Sequence, residues 1–374
     1  MAKRLSTKED YTTLLEKYDT FLFDCDGVLW NGDKPVEGVI DVLKMLRAKN
    51  KSVIFVSNNA SKSRVQYITK FDKLGIQAEV DEVVGSAYAA AVYISSVLKF
   101  APTDKVYVIG MAGLEAELAS EGVSYLGGTS PSDNTLEPFV LTSFLPEKDP
   151  NVKAVLCGLD MSINYTKLCK AFQYLMEGED KCKFLATNTD GTYPIEGGLL
   201  PGSGTLSASL AFALGRNPLS IGKPGKTMMD CIKAKHDFDP AKTIMIGDRL
   251  DTDIMFGKNG GVSTLLVLTG TFSTFLRANP SPSWIERKLT SLCSSPPWTY
   301  STPAFLKWYS SQLTIHSNNH TSIRGYFGTY GLMGTSPETP DTPCHRATVP
   351  ASLRQNNHVV YETPVFPYDH GPGA

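Results

Sequence analysis

The stretch Phe21-Leu22-Phe23-Asp24-Cys25-Asp26-Gly27-Val28-Leu29-Trp30 decides how the rest of the chain reads. An apolar run ends at one carboxylate, a second follows two residues later, and Gly27 then lets the backbone turn. That is a strand delivering two acids to one place. Alternate side chains of an extended segment point the same way, so Asp24 and Asp26 start on one side of the backbone at the strand's end. Like charges that close require a cation beside them or a proton on one of them. Asp-Gly after a strand is also an ordinary turn, and only the residues that close the other strands can separate the two.

Working outward, apolar runs alternate with helical patterns, as in a mostly parallel sheet covered by helices. Val39, Val42, Leu43 and Leu46 recur at helical spacing, and Val53–Val56 reads as the next strand, ending in Ser57-Asn58-Asn59. Ser61 is the expected cap of a helix closed by Gly75, and Ser86 opens an alanine-rich helix running to about Phe100. A second α/β block follows, with strands near Val106–Ile109, Ala154–Cys157 and Phe184–Thr187, helices near Gly113–Glu121 and Tyr165–Glu177, and an exposed loop at Gly127–Asn134. The first block is expected to resume with a short strand at Leu219–Ile221. Gly222-Lys223-Pro224-Gly225 follows, then a helix to His236, a strand at Thr243–Ile246 closed by Gly247-Asp248-Arg249-Leu250-Asp251-Thr252-Asp253, and a strand at Thr264–Leu268.

The expected architecture is therefore α/β, a Rossmann-like parallel-sheet core with an inserted α/β domain. The core would take residues 1–100 and 217–292, the insertion 101–216, and a low-order tail 293–374. Beyond about Ser273 the chain holds 12 of its 23 prolines and few charges, too little apolar pattern to offset the entropy of ordering it. Five of the six histidines lie there without ligand spacing, which leaves His236 alone and gives a Ser-His-Asp hydrolase no material.

A net charge of -2 gives no reason to expect nucleic acid or an anionic membrane as partner. Seven dispersed cysteines without a C-x-x-C pair, no apolar run near spanning length and no signal-like N-terminus together place the expected compartment in the cytoplasm. Cys25, between two acids, reads as a small buried hydrophobe rather than a redox switch.

Strand ends in an open parallel sheet share one crevice, so Asp24, Asp26, Ser57, Asn58, Lys223, Asp248 and Asp253 can meet across the chain. Clustered carboxylates hold a hard cation through oxygen, and a lysine beside a hydroxyl grips an anion. A carboxylate aimed at a phosphorus so held can act as nucleophile, forming an acyl phosphate that water then hydrolyses.

This set resembles the motifs of haloacid dehalogenase superfamily phosphatases. Asp24-Cys25-Asp26-Gly27-Val28 matches the first, Ser57 the second, Lys223 the third and Gly247-Asp248 with Asp253 the fourth, in the same order. The wording F-D-C-D-G-V-L-W-N-G, V-S-N-N, G-K-P and G-D-R-L-D-T-D-I is similar to the 4-nitrophenylphosphatase and phosphoglycolate phosphatase branch, with its pyridoxal phosphatase relatives, over about residues 15 to 273.

The resemblance implies an aspartate-nucleophile phosphomonoesterase that uses Mg²⁺ on a small phosphorylated metabolite. Asp24 would attack phosphorus and Asp26 would serve as acid, then base. Mg²⁺ would sit on the Asp24 and Asp248 carboxylates and the Asp26 backbone carbonyl. Ser57, Asn58, Asn59 and Lys223 would hold phosphate, with Asp253 orienting Lys223 or metal-bound water. The insertion would act as a cap whose Asn188 and Asp190 face the leaving group, and a homodimer through the cap is the candidate assembly. Phosphoglycolate is the first expected substrate and pyridoxal phosphate the second. An impaired homologue is the alternative, because residues 293–374 match no part of the family. A dehalogenase has no alkoxide to protonate and no need of Asp26, and phospho-accepting receiver modules are small and capless.

Overall fold

Every neighbouring pair of strands in the main sheet is parallel, in the order Lys3–Leu5, Thr299–Ser301, Ser263–Val267, Thr243–Gly247, Thr20–Asp24, Ser52–Ser57 and Val83–Gly85. The computed structural model describes residues 3–135, 148–195, 198–269 and 299–301. Thr20–Asp24 is buried along its whole length because both faces of the sheet are covered. Phe21 and Phe23 pack with Val53, Phe55, Ile244 and Ile246 on one side, under the helix Val39–Ala48 with its buried Val39, Val42, Leu43 and Leu46. Leu22, Ile54, Val56 and Met245 face the other way.

On that second side the helix Ser86–Val92 is buried all round, and its alanines let it lie against both the main sheet and a second one. The second sheet has five strands, Leu219–Ser220, Lys183–Ala186, Val152–Cys157, Lys105–Ile109 and Ser124–Gly127, again all parallel. Its Val106, Val108, Ala154, Leu156 and Leu185 share one apolar cluster with the main sheet. Tyr107, Ile109, Val155 and Phe184 point to its opposite side, where the helix Tyr165–Leu175 buries Ala171, Tyr174 and Leu175. Among the described residues no helix is long and apolar enough to cross a membrane.

The structure departs from the sequence reading in four places. Leu219–Ser220 pairs with Leu185 and Ala186 at the edge of the second sheet, so the chain leaves that sheet only after Ser220, past the boundary expected at residue 216. A two-residue run carries no register that could have told one sheet from the other. Ser63, not Ser61, caps the helix Arg64–Lys73, because Gln66 stands three residues on and closes a capping box with it. The loop expected at Gly127–Asn134 contains the end of an edge strand and a short helix, Pro131–Asn134. Thr299–Ser301, inside the stretch expected to lack order, is a strand between Lys3–Leu5 and Ser263–Val267. The remainder of the expected tail lies outside the described residues.

That strand gives the tail a partial stake in stability. A chain ending at residue 298 should show a lower thermal midpoint than one ending at residue 301, since only the longer one supplies backbone partners to both neighbours. Equal midpoints by differential scanning calorimetry would show that the pairing contributes nothing.

Candidate active site

Three adjacent strands, Thr243–Gly247, Thr20–Asp24 and Ser52–Ser57, end side by side and set Asp248, Asp24 and Ser57 along one edge. Asp24, Asp248 and Asp253 are all buried, and each places a carboxylate oxygen within 4.8 Å of the others. Into this cluster Lys223 sends its ammonium, donating to Asp24 Oδ1 at 2.5 Å, to Asp253 Oδ1 at 2.8 Å and to the Val56 carbonyl at 3.2 Å. Burial pushes the Asp24 carboxyl well above its ordinary range, and the neighbouring Asp253 adds to the push against the opposing pull of Lys223. Burial alone would lower the Lys223 ammonium, but Asp24 and Asp253 outweigh it and hold the group protonated. The donor set, three buried carboxylates offering hard oxygens, fits a divalent cation such as Mg²⁺.

Asp253 reaches the cluster because Gly247 has no side chain, as a Cβ there would lie 2.1 Å from that of Asp253. The other Asp253 oxygen accepts the Arg249 backbone N–H at 3.0 Å. Ser57 Oγ pairs with the Tyr67 hydroxyl at 2.8 Å and accepts the Asn59 N–H at 3.2 Å. Tyr67, which the sequence reading missed, is a fully buried phenol whose pKa burial raises, so it stays protonated.

Asp26 stands apart from the three clustered carboxylates. Gly27, at φ 90°, turns the chain, and Trp30 folds back to donate its indole N–H to Asp26 Oδ1 at 2.8 Å. The Asp26 side chain remains 38% exposed, with Lys70 Nζ 3.9 Å from the same oxygen. The expectation that Asp24 and Asp26 share one side of a strand is thus replaced by a split, because the strand stops at Asp24 and Asp26 already belongs to the turn.

Asn58 is not free to hold phosphate with its carboxamide. Its Oδ1 accepts the Lys223 N–H at 2.8 Å, and its Nδ2 donates to the Lys223 carbonyl at 2.9 Å and to Asp190 Oδ2 at 3.0 Å. Asn59 Oδ1 accepts the N–H and hydroxyl of Ser61, at 2.9 and 2.6 Å. Asn188, expected to face a leaving group, is buried, donates to the Asn58 carbonyl at 2.6 Å, and accepts from Ser203 Oγ at 2.5 Å and the Asp190 N–H at 3.0 Å. These bonds join the second sheet to the first. Asp190 does lie at the site, raised by burial, with Arg249 Nη2 3.9 Å away. Arg249 in turn pairs with Asp251 at 2.9 Å, and Asp251 itself stays exposed.

A sequence profile of haloacid dehalogenase-like hydrolases matches residues 21–124, and a HAD-hydrolase-like profile matches residues 220–292. The chain is 49% identical to a 4-nitrophenylphosphatase of Schizosaccharomyces pombe over 274 residues, covering 72% of this chain and 90% of that one. It is 41% identical to the chloroplastic phosphoglycolate phosphatase 1A of Arabidopsis thaliana, covering 76% of this chain and 79% of that one. Among solved structures, a glycerol phosphate phosphatase of Mycobacterium tuberculosis in complex with magnesium is 31% identical, with a TM-score of 0.59 and 72% and 73% of the two chains covered.

Removing the Asn188 carboxamide strips hydrogen bonds from the Asn58 carbonyl and from Ser203. Asn188→Ala should therefore cost stability by about 1–3 kcal/mol in chemical denaturation. Activity should fall by the same factor on every substrate. A loss in kcat/KM confined to one substrate would return Asn188 to the role of leaving-group reader.

Proposed function

Because this chain belongs to the haloacid dehalogenase-like hydrolases and is a phosphomonoester hydrolase, we propose that it cleaves small phosphorylated metabolites through an aspartyl-phosphate on Asp24, with Mg²⁺ as cofactor. The observation that carries the reading is the buried Asp24 at the end of a central strand, paired with Lys223 and grouped with Asp248 and Asp253. A structural ion pair of Lys223 with Asp24 and Asp253 has no need of a third buried carboxylate beside it.

In the proposed reaction an Asp24 carboxylate oxygen attacks phosphorus in line with the ester bond. As the P–O bond to the leaving group breaks, the leaving oxygen takes the proton carried by the Asp26 carboxyl. Asp26, now ionised, removes a proton from water as the water oxygen attacks the acyl phosphate. The bond between phosphorus and Asp24 then breaks, and inorganic phosphate and the Asp24 carboxylate are regenerated. Lys223 holds the phosphoryl oxygens against Asp24, and the hydroxyl of Ser57, oriented by Tyr67, provides a second contact. Bound Mg²⁺ would offset the clustered negative charge and polarise the phosphoryl group. The carboxylates of Asp24 and Asp248 and the backbone carbonyl of Asp26 would hold it.

2-Phosphoglycolate is the first substrate, supported by the likeness to the plant phosphoglycolate phosphatase. A glycerol phosphate ester is the second, on the strength of the magnesium-bound mycobacterial structure. Asp24→Asn should lower kcat on 4-nitrophenyl phosphate by at least about a thousandfold. A variant retaining a tenth of normal turnover would end the nucleophile role. Chelation by EDTA should abolish turnover and added Mg²⁺ restore it, and activity that survives exhaustive chelation would remove the cation from the reaction. kcat/KM for 2-phosphoglycolate, glycerol 3-phosphate and pyridoxal phosphate ranks the substrates directly.

A further inference from the structure

The carboxyl proposed as acid and base is held by an indole whose location the motif does not explain. Trp30 is fully buried, stacked edge-on to Phe71 at 5.1 Å and tilted against Tyr67 at 6.3 Å. A tryptophan packed this tightly could have been a phenylalanine, except that its N–H would be missing. That N–H donates to Asp26 Oδ1 at 2.8 Å, and the backbone ties the two residues together, with Gly27 N–H donating to the Trp30 carbonyl at 2.8 Å. Lys70 lies over the same ring, its ammonium 4.3 Å from the centroid and 3.9 Å from Asp26 Oδ1.

We infer that Trp30, backed by the Lys70 cation on its ring face, is the positioning residue that makes Asp26 work through one oxygen. The oxygen that accepts the indole N–H is turned toward Trp30, which fixes the carboxyl plane and leaves Oδ2 facing away from it. Oδ2 makes no hydrogen bond among the described residues, and the side chain is partly exposed, so that oxygen is open to a leaving group. Two aromatic rings, Phe71 and Tyr67, fix the donor, and the donor fixes the rotamer. Without the N–H the carboxyl rotates about its own axis and presents the proton in the required direction only part of the time. The loss would fall on the step that protonates the leaving oxygen and not on phosphate binding, because Trp30 touches neither Lys223 nor Ser57 by hydrogen bond.

This inference rests on the acid role proposed for Asp26, and the experiment separates the two. Substituted phenyl phosphates running from 4-nitrophenyl to unsubstituted phenyl, with 2-phosphoglycolate as an alkyl ester, form a series of increasing need for protonation. In Trp30→Phe, kcat on the alkyl ester should fall by about tenfold or more, while the 4-nitrophenyl ester loses much less and KM stays within about twofold throughout. Because a buried ring is being changed, the same series should be run with benzothienylalanine placed at position 30, which keeps the bicyclic shape and puts sulfur where the N–H was. A steeper dependence on the leaving group in both variants supports the assignment. Uniform losses across the series, or none, overturn it and leave Trp30 a packing residue. Asp26→Asn serves as the control. A steep series there with a flat series at position 30 refutes the indole's part alone, and a flat Asp26→Asn series refutes the acid role and the positioning role together.

Discussion

The rest of the site depends on one ammonium shared between two buried carboxylates. Lys223 bridges Asp24 and Asp253 in a place where water cannot screen either partner, and Asp248 brings a third buried carboxylate to the same cluster. Burying charge without full compensation is expensive. Three buried carboxylates on one edge form an oxygen-rich cluster that would suit a divalent cation, as the proposed reaction requires. Burial also raises the proton affinity of Asp24, against the pull of the Lys223 ammonium.

The packing beneath explains how such a cluster stays in register. Thr20–Asp24 lies between two strands and two apolar faces, so Asp24 ends a segment that cannot slide or twist without exposing Phe21, Leu22 or Phe23. The buried helix Ser86–Val92 then presses the second sheet close to the first, and its Ser86 hydroxyl donates to the Asn58 carbonyl at 2.6 Å. Small side chains along that helix set the spacing at which residues on the second sheet can bond to residues of the catalytic edge.

How much of this could be read from the sequence follows the range of the signal. Asp24, Ser57 and Asp248 close apolar runs, and a parallel sheet gathers such ends whatever lies between them, so that edge of the site was legible. Lys223 and Asp253 stood out by residue type in short glycine-containing turns. The partners of Asn58 and Asn188 could not be read from the sequence, because an amide beside a strand end has several uses and which one it takes depends on residues as far as 165 positions away. Tyr67 and Trp30 look like core aromatics and are core aromatics, and only three-dimensional contact reveals the hydroxyl on Ser57 and the N–H on Asp26. Leu219–Ser220 and Thr299–Ser301 were too short for any periodicity to place them in a sheet.

The pair of hydrogen bonds between Asn58 and the backbone of Lys223 has a meaning for comparing sequences. One carboxamide meets an N–H with its oxygen and a carbonyl with its nitrogen, so the two ends cannot be exchanged and no other side chain of that length carries both. An aspartate would set its charge against the Lys223 carbonyl and Asp190, and a glutamine would overreach; Gly222, where a Cβ would come within 2.6 Å of Asn58 Oδ1, leaves no slack for either. The residue after the motif serine is therefore a diagnostic letter: a chain that keeps the acids and the lysine but changes this position must seat its lysine by other means, and its chemistry should not be inferred from the motifs alone.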